Sequence, residues 1–134
     1  MKDNSMPFCT VISCMDGRVQ KPVMDFLASK YGYDLPDTIT DPGPVKDLAS
    51  ANDTVYLDRV CARIDISVHK HGSRHIFLTG HHDCAGNPVS REAQIRQLGI
   101  SSQRIKARYP ECQVNTLYIN DQWRCEEVDA IATA

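Results

Sequence analysis

The chain has 134 residues, a formal charge of −2, 42% hydrophobic and 24% charged residues, and six cysteines, figures that fit one globular domain able to bury a core without disulfide staples. Its basic residues are dispersed rather than clustered, which argues against nucleic acid or an anionic membrane as the main partner. No apolar run approaches the ~20 residues that span a bilayer, and residues 1–6 are too polar for a secretory signal, so the expectation is a cytoplasmic protein with reduced thiols.

Strand-like and helix-like segments alternate, which predicts an α/β fold with a mainly parallel β-sheet flanked by helices. Residues 8–12 form a nearly continuous apolar and β-branched run, as expected of a strand buried on both faces. A helix is predicted over 22–31, with Pro22 in its first turn and Gly32 as its stop. Residues 38–40 read as a short second strand, closed by Asp41-Pro42-Gly43-Pro44, a turn that continues neither a sheet nor a helix. Asn52 or Asp53 then caps a longer helix with Leu57, Val60, Cys61, Ile64 and Val68 on one face and Gly72 just beyond its end. The next strand, 76–79, leads straight into Gly80-His81-His82-Asp83-Cys84-Ala85-Gly86. Two short helices, 90–98 and 102–109, precede a last strand over 114–119, and nothing is read from the tail beyond Glu127. With no repeat and no linker, residues 1–134 are expected to form a single domain.

Two clusters carry chemistry, each where a strand gives way to a loop: Cys14-Met15-Asp16-Gly17-Arg18 and His81-His82-Asp83-Cys84. Sites in open α/β sheets form beyond the carboxyl ends of parallel strands, so the clusters converge if their strands are neighbours. Cys14, His81 and Cys84 would then offer two thiolates and one imidazole, a set that suits zinc and leaves a fourth position open. Taken singly, each cluster has a plainer reading: a buried cysteine, a chance His-x-x-Cys, a surface ion pair. The joint pattern is what favours a metal site. Cys9, Cys61, Cys112 and Cys125 are assigned to the core or to no role, and His69, His71 and His75 are read as solvated.

Cys-x-Asp-x-Arg after the first strand, with Gly-His-x-x-Cys after a later buried strand, resembles the β-class carbonic anhydrases. The helix, glycine and strand leading to His81, and more loosely the strand ending near Asp121, are similar to the same family. The resemblance implies that Cys14, His81 and Cys84 hold Zn2+. It also implies hydration of carbon dioxide to bicarbonate and a proton by zinc-bound hydroxide, which an Asp16–Arg18 pair orients. In part of the family the aspartate instead ligates the zinc until the arginine draws it away, and the sequence leaves both states of Asp16 open. A homodimer, or a multiple of it, is implied as well.

Three departures touch the substrate pocket. Residues 40–44 replace an Arg-Asn-Ala-Gly-Asn-like segment, the helical arm before the first strand is missing, and the stretch between Cys84 and the last strand is short. The alternatives are therefore a related zinc hydrolase of carbon disulfide or carbonyl sulfide, and a non-catalytic zinc-binding homologue in which His82 or Asp83 could be recruited.

Overall fold

In the computed structural model, which describes residues 8–130, Phe8–Cys14 (β1) lies between Leu35–Asp41 (β2) and His75–His81 (β3). Gln113–Ile119 (β4) follows β3, and Cys125–Val128 (β5) completes the sheet in the order β2-β1-β3-β4-β5. Every pairing is parallel except β5 on β4. The mainly parallel α/β sheet expected from the sequence is what forms.

Alternation along the strands divides the core between the two faces. Cys9, Val11, Phe77, Leu117 and Ile119 pack with Val19, Val23 and Leu27 of Gly17–Tyr31 (α1). Ile12, Ile76 and Leu78 point the other way, into the residues of Pro44–Leu48 (α2), Thr54–Asp65 (α3) and Arg91–Arg108 (α4). Both faces are covered, so the inner strands read as unbroken apolar runs. Each fully buried Leu, Ile or Phe contributes about 1.5–3 kcal/mol. After α3 the chain widens into a π-helical turn, Ile66–Lys70, which brings Ser67 Oγ within 2.6 Å of the buried Thr10 hydroxyl of β1.

Several expectations are corrected. α1 begins at Gly17, five residues before the predicted start, because the Asp16 carboxylate accepts the Arg18 N–H and caps it. Pro22 consequently stands inside the helix, where it has no N–H for the Arg18 carbonyl. Gly32 does stop α1, in a left-handed conformation. The 41–44 turn holds more structure than expected: Pro44 opens α2 from a left-handed Gly43. The two short helices are one, since α4 runs through Gly99. Small residues there (Gly99, Ser101, Ser102) are buried, and Ser101 Oγ donates to the Val45 carbonyl of α2, so packing overrides the weak helix propensity. The segment after β4 forms β5, whose Cys-Glu-Glu-Val sequence is too short and polar to read as a strand. His75, expected in solvent, is 4% exposed. Its Nδ1 lies 3.0 Å from the Tyr33 hydroxyl and its Nε2 2.6 Å from Asn115 Oδ1.

Candidate metal centre

Because β1 and β3 are paired, both clusters emerge side by side at the carboxyl edge of the sheet. Ligand atoms of Cys14, His81 and Cys84 lie within 4.8 Å of one another, and all three residues are buried. The two sulfurs are 3.8 Å apart although 70 residues separate them in sequence. Among the described residues this is the one group of three or more potential metal ligands.

The imidazole is held ready. His81 Nδ1 lies 2.7 Å from the His82 carbonyl, which can only accept, so Nδ1 carries the proton and Nε2 keeps a free lone pair. Nε2 is buried and has no hydrogen-bond partner, an orphan that a metal would satisfy. Burial also depresses the His81 pKa, which favours the neutral, ligating form.

The sulfurs sit among backbone donors. The Gly43 N–H points at Cys14 Sγ from 3.5 Å, and the backbone amides of Gly86 and Asn87 favour the charged form of Cys84. Burial, followed by the neighbouring Cys14, nevertheless pushes the Cys84 thiol up to about 11. Two thiolates packed this closely need a compensating cation, and a borderline-soft divalent ion matches both their charge and the imidazole. The donor set therefore fits a metal of the zinc type.

Asp16 stands beside this group, turned toward Arg18. Its Oδ1 accepts the Arg18 N–H at 2.9 Å and Nε at 3.1 Å, and its Oδ2 accepts Nη2 at 2.7 Å. These bonds hold its pKa down at about 2 and raise that of the guanidinium. Three hydrogen bonds thus tie the Asp16 carboxylate to Arg18. His82 and Asp83 are not part of the ligand cluster; Asp83 Oδ2 instead lies 3.3 Å from Arg18 Nη1.

Sequence reasoning missed the braces around the site. Gln94 of α4 is buried, accepts the His81 N–H at 2.9 Å and donates to the His81 carbonyl at 2.7 Å, fixing the end of β3 as a further strand would. Its signal was available: a glutamine on the same helical face as Leu98, Ser101 and Ile105 interrupts an apolar stripe. Gln20 Nε2 bonds the carbonyls of Cys14 and Asp16, fastening the first loop to α1. Close backbone approach seals the second loop to residues 41–44. A Cβ on Gly86 would fall 2.7 Å from the Pro42 carbonyl carbon, and one on Gly43 2.7 Å from Asn87 Cβ.

A family profile described as putative carbonic anhydrase matches residues 4–129. The chain belongs to that family. Carbonic anhydrase from Streptococcus mutans is 16% identical with a TM-score of 0.57, over 93% of this chain and 82% of that one. Carbonic anhydrase from Glaciozyma antarctica is 13% identical with a TM-score of 0.59, over 92% and 82%. The apo form of a carbon disulfide hydrolase is 10% identical with a TM-score of 0.56, over 93% and 80%. At such identities the likeness is one of fold. No curated relative matches the sequence. Membership of a carbonic anhydrase family implies a metal cofactor, and among the described residues Cys14, His81 and Cys84 form the group that could hold one. Among the described residues no helix is long and apolar enough to cross a membrane.

Proposed function

We propose that the protein is a zinc-dependent carbonic anhydrase, a lyase that interconverts carbon dioxide and water with bicarbonate and a proton. The observation that carries this reading is the convergence of three buried donors beside a carboxylate already locked to an arginine. Cys14, Cys84 and the free Nε2 of His81 hold the zinc. Bound there, zinc supplies Lewis acidity that brings the ionisation of water into the neutral range.

The chain's own residues do the rest. Asp16 Oδ1 carries two bonds from Arg18 and Oδ2 carries one, so a lone-pair direction at Oδ2 remains free to accept the hydrogen left on the attacking oxygen once the water has lost its first proton to solvent. Accepting that hydrogen turns the oxygen's own lone pair toward the carbon of carbon dioxide. Arg18 keeps Asp16 ionised and fixes its plane, so the acceptor neither takes up a proton nor rotates away. A purely structural zinc site has no use for such a pair, which weighs against a non-catalytic homologue.

The proposal includes a cytoplasmic homodimer, or a multiple of it. A second substrate reading has one observation in its favour. Residues 40–44, which border Cys14 and Gly86, differ from the family's usual segment, so linear analogues such as carbon disulfide or carbonyl sulfide belong in the same assay.

The deciding experiment is stopped-flow carbon dioxide hydration on protein whose zinc content is measured in the same preparation. Turnover that disappears on chelation and in Asp16→Asn supports the proposal. Fully zinc-loaded protein inert toward carbon dioxide defeats it, and turnover of carbon disulfide in that sample selects the second reading. Light scattering at micromolar concentration tests the dimer, and a monomer contradicts it.

A further inference from the structure

Two non-glycine residues among those described have positive φ, Asp83 at 57° and Trp123 at 58°, and both touch the same side chain. A large aromatic residue in left-handed backbone is uncommon, and such strain persists only where surrounding structure enforces it. At Trp123 the enforcement is local. Asn120 Oδ1 accepts the N–H groups of Gln122 and Arg124, and the Trp123 N–H donates to the Asn120 carbonyl at 2.9 Å. The β4–β5 turn is thus tied into a shape that throws the indole back over the carboxyl edge of the sheet. There Arg18 Cζ lies 4.3 Å from the ring centroid, and the rings of His82 and His81 stand 6.1 and 6.4 Å away.

The guanidinium is confined from three directions. Asp16 takes Nε and Nη2 along one edge, Asp83 takes Nη1 through Oδ2 and Nη2 through its carbonyl, and Trp123 covers a face. These bonds lie along the edges of the guanidinium and leave its faces uncovered, and the Arg18 side chain is 48% exposed. A flat ring against one face resists tilting of the guanidinium plane, because stacking and cation–π attraction both weaken as the planes separate.

We infer that Trp123 is a positioning residue, whose indole face holds Arg18 edge-on to Asp16, so that the β4–β5 hairpin sets the geometry of the Asp16–Arg18 pair from outside the metal centre. The inference rests on the catalytic reading of that pair given above. It gives β5 a purpose: four residues of antiparallel strand anchor the turn that delivers the chain's one tryptophan.

The test uses the full, zinc-loaded chain and three readouts. Solvent exchange of the Arg18 Nε–H, followed by nuclear magnetic resonance and assigned by its loss in Arg18→Ala, is expected to rise about fivefold or more in Trp123→Leu as the bond to Asp16 loosens. In the same variant kcat is expected to fall about tenfold with KM and zinc content unchanged, and Trp123→Phe, which keeps an aromatic face, restores most of both losses. The reverse perturbation needs no change at the turn. Acrylamide quenching of the single tryptophan is expected to increase about twofold in Arg18→Ala, as the cation uncovers the ring. Unchanged Nε–H exchange in Trp123→Leu, or unchanged quenching in Arg18→Ala, overturns the inference. Wild-type protein without carbon dioxide turnover refutes the proposed function instead, and exchange and quenching still decide whether Trp123 holds Arg18.

Discussion

Strand β3 begins and ends in a buried histidine, and the two ends have been put to different uses. His75 and His81 are 4% and 1% exposed, and burial lowers both pKa values. At the amino end His75 is saturated. Glu127 takes an Asn115 N–H at 2.6 Å, which turns Asn115 Oδ1 toward His75 Nε2 and leaves Nδ1 to accept from the Tyr33 hydroxyl. Tyr31 completes this end by donating to the other Glu127 oxygen. At the carboxyl end the His81 ring is supplied with one partner, and its Nε2 has none, beside the sulfurs of Cys14 and Cys84. Burial and a shifted pKa are common to both, so neither marks a ligand. The unfilled lone pair is what sets His81 apart.

Exchanging each histidine breaks the comparison most directly. His81→Ala is expected to lower bound zinc from about one per chain to near zero, as are Cys14→Ser and Cys84→Ser, whereas His75→Ala keeps the metal. Elemental analysis of purified protein reads this, and stoichiometric zinc in His81→Ala would remove the ligand assignment. Next in size is Asp16→Asn, expected to keep zinc while turnover falls by roughly 10²–10³, since an amide cannot serve as the same acceptor. His75→Ala should act on the other axis. It is expected to cost about 2–4 kcal/mol of stability, through the cavity and the stranded Asn115 and Tyr33 partners, with zinc-normalised turnover preserved. Gln94→Ala sharpens the contrast at the carboxyl end, weakening zinc affinity about tenfold in a competition titration because it frees the His81 backbone.

The smallest effect concerns pH. Burial holds the folded His75 pKa below its ordinary 6.5, so the unfolded chain binds that proton more readily. Stability from this residue is complete above pH 6.5 and is lost as pH falls from there toward the folded value. Tyr33, Tyr31, Asn115 and Glu127 face the ring, and the Glu127 charge only partly offsets burial. The urea midpoint of the wild type is expected to be lower at pH 5.5 than at 7.5, with a smaller difference in His75→Gln; equal differences would show that His75 does not carry the effect.

What the sequence disclosed follows the same division. The convergence of Cys14, His81 and Cys84, with Asp16 and Arg18 beside them, was legible because loops at strand ends carry polar side chains at fixed short spacings, and β1 and β3 were legible because strands covered on both faces are unbroken apolar runs. The His75 network was invisible. Its members come from α1, β3, β4, β5 and the loop before β2, and polar residues scattered so widely read as surface until the fold brings them together. The same blindness hid Trp123 and β5, which depend on pairing with β4 rather than on their own pattern. The predicted break in α4 failed for a related reason: the weak helix formers after Leu98 are buried in the folded chain, where Ser101 bonds the Val45 carbonyl of α2.

The separation of 70 positions from Cys14 to Cys84 also sets an order of events during synthesis. On the ribosome the first thiol emerges well before the second, and neither has a partner until β3 has docked beside β1. Until then Cys14 is held apart from His81 and Cys84, so the nascent chain offers no assembled set of three donors to whichever cation is abundant. The complete donor set arises only when the sheet closes, so the fold itself times metal acquisition, and choice among metals passes to whatever is present at that moment.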